Sequence, residues 1–144
     1  MTSAEIEAFL HEKIPLAQAM GVRVESSDGE AFVLTAPLEP NHNHLGTAFG
    51  GSLAALATLT GYACLWHALD DREAHVVIRR SELDYRHPVR GMLRAVCQRP
   101  GEEALAAFRA TFARVGKARI ALEVMIGEGG RDCLLFRGEF VAVR

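Results

Sequence analysis

Between Leu45 and Leu69 the chain carries no Lys, Arg, Asp or Glu. A stretch of that length and character admits few structures. From Gly51 onward it is built of Ala, Leu, Thr, Gly and Ser with Tyr62 and Trp66, and its length suits one helix that is apolar on all sides, which belongs either in a core or in a bilayer. Ser52, Thr58, Thr60, Tyr62 and His67 within it, and the lack of basic flanks, favour the core. Its small side chains would let a sheet approach the helix backbone closely.

The segments on either side supply that sheet. Val22 to Glu25 and Ala31 to Ala36 suit strands, with turn residues Ser26-Ser27-Asp28-Gly29 between them. His75 to Tyr85 and Met92 to Arg99 are two more, separated by a turn that contains Pro88 and Gly91. Arg119 to Glu128 alternates, with Ile120, Leu122, Val124 and Ile126 on one side, and Gly129-Gly130 turns the chain into a last strand, Asp132 to Val143. Two further helices are expected, an amphipathic one over Ala4 to Lys13 stopped by Pro15, and one from Glu102 to about Arg114 with Leu105, Phe108 and Phe112 on one face. The fold class is therefore α+β: one domain over residues 1–144, with an N-terminal helix and lead-in over 1–20 and an antiparallel sheet covering a central helix within 45–69. One sheet cannot cover a helix that is apolar all round, so a second copy is expected, as a homodimer or a dimer of dimers.

The totals exclude other classes. A length of 144 residues is enough for one core, and a formal net charge of -2 provides no field of the kind that recruits nucleic acid. Cys64, Cys97 and Cys133 are scattered in apolar stretches and read as buried free thiols. The acidic N-terminus, with Glu5, Glu7 and Glu12, is unlike a secretion signal. A cytoplasmic protein with no nucleic-acid or membrane partner is expected. His42 and His44 lie at alternate positions in a Pro-flanked loop, which does not match common zinc spacings, so no metal is assigned.

Chemistry concentrates in Asn41-His42-Asn43-His44-Leu45-Gly46-Thr47-Ala48-Phe49-Gly50-Gly51-Ser52, just before the apolar helix. Gly50 and Gly51 at a helix start leave backbone N–H groups unpaired and uncovered, an arrangement that can stabilise negative charge on a carbonyl oxygen, although glycines there can also serve only close packing. Asn43 is the first candidate for a carbonyl-orienting donor, against a reading in which its amide serves its own loop; Asn41 is the reserve. Thr58 and Thr60 could donate from the helix, or bond a carbonyl one turn back. Ser52 reads as an early-turn cap rather than a nucleophile.

Asn43, Gly46 and Gly50-Gly51 resemble the pattern of hotdog-fold thioesterases, in which an Asn, a Gly and a His-Gly-Gly lead into the central helix. Ala36-Pro37-Leu38, Asn41-x-Asn43, Gly46-Thr47-x-Phe49-Gly50-Gly51-Ser52 and Tyr85-x-x-Pro88 are similar, more closely, to the thioesterase family typified by the C-terminal domain of YiiD, a family that includes malonyl-ACP decarboxylases. The resemblance runs from about Ile14 to the C-terminus. It implies a hotdog fold and an acyl thioester of acyl carrier protein or coenzyme A as substrate, with no cofactor beyond that carrier. Counted from Gly-Gly, Phe49 replaces the usual His, and Thr58 stands where many hotdog thioesterases carry Asp or Glu. A hydrolase without a base is handicapped. Loss of CO2 from a malonyl thioester needs only donors at the thioester oxygen and a poorly solvating place for the carboxylate. Asn43, Gly50 and Gly51 would be the donors, and Phe49 with the Ala/Leu-rich helix the dry wall. Arg79 and Arg80, with Arg86 and Arg90 nearby, are candidates to receive carrier phosphates or an acidic carrier surface. Decarboxylation of malonyl-ACP is the expected activity; hydrolysis of acyl-CoA or acyl-ACP is the alternative, and a non-catalytic thioester-binding module is a third.

Overall fold

The charge-free segment forms a 20-residue helix, Gly50–Leu69, and a six-stranded sheet covers one side of it. A computed structural model describes residues 1–144. In chain order the elements are α1 (Ser3–Lys13), α2 (Pro15–Met20), β1 (Arg23–Ser26), β2 (Ala31–Ala36), α3 (Gly50–Leu69), β3 (His75–Tyr85), β4 (Leu93–Gln98), α4 (Glu102–Val115), β5 (Lys117–Glu128) and β6 (Arg131–Val143). The sheet order is β1-β2-β4-β5-β6-β3, antiparallel throughout. This is the α+β hotdog arrangement expected from the sequence.

Some strand ends differ from the sequence reading by one or two residues, and two differences at helices have a clear physical cause. The central helix begins at Gly50 rather than near Leu45, because Gly46 takes a φ of 77° and Phe49 is extended as the N-cap, and neither conformation continues a helix. Pro15 does end α1, but it also occupies the first turn of a second short helix, α2, where its missing N–H costs nothing.

The strands follow their sequence patterns. On β5, Ala118, Leu122, Val124 and Ile126 are buried and Lys117, Arg119 and Glu123 exposed. Gly129 and Gly130, with φ of 60° and 78°, make the tight turn that sets the β5–β6 register. A close approach between helix and sheet occurs at Gly61. A Cβ there would lie 2.6 Å from the ring tip of Phe140 on β6, so only glycine lets α3 settle onto that ring. At the far end of the helix Trp66 stacks on Phe9 of α1, centroids 4.0 Å apart and planes 7° apart. Arg109 of α4 donates to the Ala68 carbonyl in the last turn of α3, where a cation complements the helix dipole. By length and composition α3 could cross a membrane, but 61% of its apolar window is buried inside the fold. The three cysteines are free and buried.

The sheet leaves one face of α3 open. Leu53, Leu56, Ala57 and Thr60 are buried, whereas Ala54, Ala55, Thr58 and Tyr62 are half-buried. Alongside runs β3, an edge strand whose Val77 and Tyr85 are each 53% exposed.

Candidate active site at the start of the central helix

The loop from Asn41 to Phe49 delivers the chain to α3, and its two asparagines divide the work of shaping it. Asn41 is buried, and its amide donates to the carbonyls of Met20 and Pro37, both at 2.8 Å. Its backbone carbonyl accepts from Phe49 N at 2.7 Å. With both amide hydrogens engaged it anchors the loop and has no donor left for a substrate. Asn43 accepts at Oδ1 from Leu45 N (2.9 Å) and Thr47 N (3.1 Å) and donates from Nδ2 to Thr47 Oγ1 (2.9 Å). This is the local turn bonding that asparagine favours, and it leaves the second amide hydrogen of Asn43 without a protein partner.

At the helix start, the first intrahelical bond runs from Leu53 N to Phe49 O at 3.1 Å, and no side chain caps the turn. The N–H groups of Gly50, Gly51 and Ser52 have no acceptor in the protein. Ser52, expected as a cap, makes no capping bond because Phe49 occupies the cap position. Free, aligned N–H groups at the positive end of a 20-residue helix form a site for developing negative charge. Of the two glycines, Gly51 has a close approach that leaves no room for a side chain, whereas a side chain on Gly50 would meet only an ordinary contact. A Cβ on Gly51 would sit 2.4 Å from the Phe49 ring, which folds over the first turn, and one on Gly50 would touch the Tyr85 ring at 3.6 Å. Tyr85 Oη donates to the Gly50 carbonyl at 3.3 Å, and Ala48 N donates to Val89 O at 2.8 Å. The segment from Tyr85 to Val89 therefore braces the turn that presents the amides.

Further along the open face of α3, from Ala54 onward, lies a groove of about 660 Å³ whose lining does not include Phe49, Gly50, Gly51 or Ser52. Ala55, Thr58 and Tyr62 form its helix side, Val76 and Ile78 its β3 side, and Phe140 its floor. No Asp, Glu, His, Lys or Arg lines it. Thr58 faces the groove with its hydroxyl donated to Ala54 O at 2.8 Å. Thr60, the other helix candidate, is corrected by the structure: it is fully buried, donates to Leu56 O at 2.7 Å and lines no part of the groove, because two residues along a helix turn a side chain to another face. Tyr62, one turn beyond Thr58, was missed. Burial pushes its phenol pKa up, so it enters the groove as a neutral hydroxyl.

Arg79 and Arg80 are not brought to the helix start. They stand six and five residues before Tyr85 on β3, about 16–20 Å away at strand rise. Arg79 pairs with Glu139 at 2.6 Å, and Arg79, Arg119 and Arg80 together hold the Glu139 carboxyl below its ordinary range. Arg80 makes no ion pair and is exposed.

A family model described as "Putative thioesterase (yiiD_Cterm)" matches residues 3–144. The chain is also similar to a crystal structure of a protein of unknown function from Chlorobaculum tepidum, with 35% identity over 99% of this chain and 94% of that one and a TM-score of 0.92. A "putative thioesterase" from Shewanella oneidensis is 27% identical over 99% of this chain and 97% of its own, with a TM-score of 0.84. A thioesterase from Haemophilus influenzae shares the fold at 16% identity, covering 100% of this chain and 92% of its own, with a TM-score of 0.71.

Proposed function

The chain belongs to the thioesterase family typified by the C-terminal domain of YiiD, within the hotdog superfamily of acyl-thioester enzymes, and from that premise we propose that it decarboxylates malonyl-ACP to acetyl-ACP. The observation that supports this reading is three unpartnered amides at the helix start, with a groove further along α3 that holds no carboxylate or imidazole. Hydrolysis requires a group to activate water, and the position where hotdog hydrolases place one is Thr58, whose hydroxyl is committed to Ala54 O. Decarboxylation requires no base. The bond from the α-carbon to the carboxylate breaks, CO2 leaves, and the electron pair passes into the thioester carbonyl as an enolate. The second amide hydrogen of Asn43 and a Gly50 or Gly51 N–H are the donors assigned to that oxygen, and removing one such donor would cost about 3 kcal/mol. A solvent proton on the α-carbon then gives the acetyl thioester. Phe49 and the apolar groove exclude water from the carboxylate, which favours its loss as neutral CO2. The reaction calls for no cofactor beyond the carrier's phosphopantetheine, whose phosphate is assigned to Arg80, exposed on β3, with Arg79 beside it in its pair with Glu139.

A homodimer completes the site. Supporting it are the 11-residue edge strand β3, whose outer backbone groups are unpaired, and the half-buried stripe of α3 beside it. A second copy laid along both would roof the groove.

One observation favours hydrolysis instead. The groove continues past Thr58 to Tyr62 and Ile78, further than a three-carbon acyl group needs. Thr58→Asp separates the two readings. Decarboxylation predicts a fall in malonyl turnover, since a desolvated charge beside the substrate carboxylate repels it. A gain in thiol release from medium-chain acyl thioesters, with malonyl turnover unaffected, would contradict it.

A further inference from the structure

A second cavity, of about 820 Å³, lies between α4 and strands β3, β5 and β6, and it shares with the thioester site only Arg79 and the β3 wall at Val77 and Ile78. Its floor is apolar. In the β-ladder Val77 lies opposite Val141 and Val141 opposite Arg119, while Val143 lies opposite Lys117. The result is an apolar strip on β6 with cations on its β5 side and Arg79 on its β3 side. Phe108 closes the strip from α4, and Ala104 and Ala107 leave open the space that longer side chains on that face would fill. No Asp or Glu lines the cleft, the acids of the first turn of α4 included. Glu139, outside the lining, pairs with Arg79 at 2.6 Å and lies 3.8 Å from Arg119. Thr111, the one uncharged polar residue of the lining, donates its hydroxyl to Ala107 O at 3.0 Å. A nucleobase, which needs acceptors and amides for its edges, finds none here, whereas an alkyl chain ending in an anion matches both floor and rim.

We propose that this cleft binds a fatty acid, its alkyl tail along Val77, Val141, Val143 and Phe108 and its carboxylate held by Lys117 and Arg119. The site is independent of which thioester reaction the chain performs, because it is read from binding alone. Val77 and Ile78 border both this cleft and the groove beside α3, so the test uses residues that touch only the cleft. Decanoate and dodecanoate are titrated calorimetrically into the full chain, into Ala107→Phe, and into a double variant, Lys117→Gln with Arg119→Gln, whose exposed positions leave the fold undisturbed. One fatty acid per chain is expected, with affinity rising about threefold to fourfold per added methylene. Affinity should fall at least tenfold in the double variant and be lost in Ala107→Phe, and dodecanol should bind at least tenfold more weakly than dodecanoate. Wild-type affinity in both variants would place the tail in the groove and overturn the proposal, as would equal binding of dodecanol. Absence of saturable fatty-acid binding, or tight binding of coenzyme A lost in the same variants, would overturn it too.

Discussion

Replacing Gly61 by Ala should destabilise the protein, although helix propensity alone predicts the reverse. Alanine in a helix interior is favoured over glycine by about 1 kcal/mol. Against this, the new methyl would lie 2.6 and 2.7 Å from two carbons of the Phe140 ring, about 1 Å inside the usual carbon–carbon contact distance. Phe140 is 1% exposed and sits 6.4 Å from the Phe136 ring, so it can yield only by tilting toward the groove that it floors. Overpacking a core in this way costs about 1–3 kcal/mol. The net loss is up to about 2 kcal/mol, a fall in Tm of up to about 8 °C for a chain of this size. Thermal unfolding followed by circular dichroism at fixed protein concentration measures it. The same substitution in a Phe140→Leu background, where the ring tip is gone, should become neutral or stabilising, so a double-mutant cycle changes sign. A Gly61→Ala protein that melts at or above the wild-type temperature would refute the claim that α3 rests on Phe140 through a missing side chain.

Asn41→Ala should lower stability by about 2–4 kcal/mol in urea titration, because the Met20 and Pro37 carbonyls both lose a donor; a change within about 0.5 kcal/mol would show that the loop is anchored elsewhere. Asn43→Asp keeps an acceptor for Leu45 N and Thr47 N but removes the amide hydrogens, so malonyl turnover should fall by about 10²-fold with the melting temperature little changed, and full activity would reduce Asn43 to a loop-building role. Arg94 holds the Glu25 carboxyl below its ordinary value of 4.5 through a forked contact at 2.6 and 3.0 Å. A depressed carboxylate stabilises the fold above its unfolded pKa, and that stability is lost as pH falls through the folded value. Both groups are largely exposed, so Arg94→Gln should remove no more than about 1 kcal/mol at neutral pH and flatten the decline in urea midpoint below about pH 4.5; an unchanged slope would mean the pair adds nothing.

The sequence carried the local structure well because each element is written in local terms. The strand His75 to Tyr85 appears with the boundaries expected of it, and the alternation on β5 and the Gly129-Gly130 turn place the last hairpin. What pairs with what was not legible. That β3 crosses the molecule to join β6 and become an edge depends on how the whole sheet closes over α3, and no local pattern in residues 75–85 encodes it. The same division holds at the site. Gly50-Gly51 before an apolar run predicts exposed amides from backbone chemistry alone, and the structure leaves those amides unpaired. Thr58 and Thr60 look alike as letters, and only the packing of α3 against the sheet separates the one in the groove from the one in the core. Tyr85 lies 35 residues from Gly50 in sequence, so its brace across the helix start could be noticed as part of a motif but not understood until the two were placed side by side.

The central claim is that a helix start with free amides and no base removes CO2 from a malonyl thioester without cleaving the thioester bond. Mass analysis of malonyl-ACP incubated with the purified protein tests it most directly, with CO2 release and free thiol followed in the same reaction. The account predicts conversion to acetyl-ACP, CO2 released in equal amount, and no free thiol above background. Release of holo-ACP and free malonate with no CO2, or rapid thiol release from medium-chain acyl thioesters while malonyl-ACP is left intact, would contradict it.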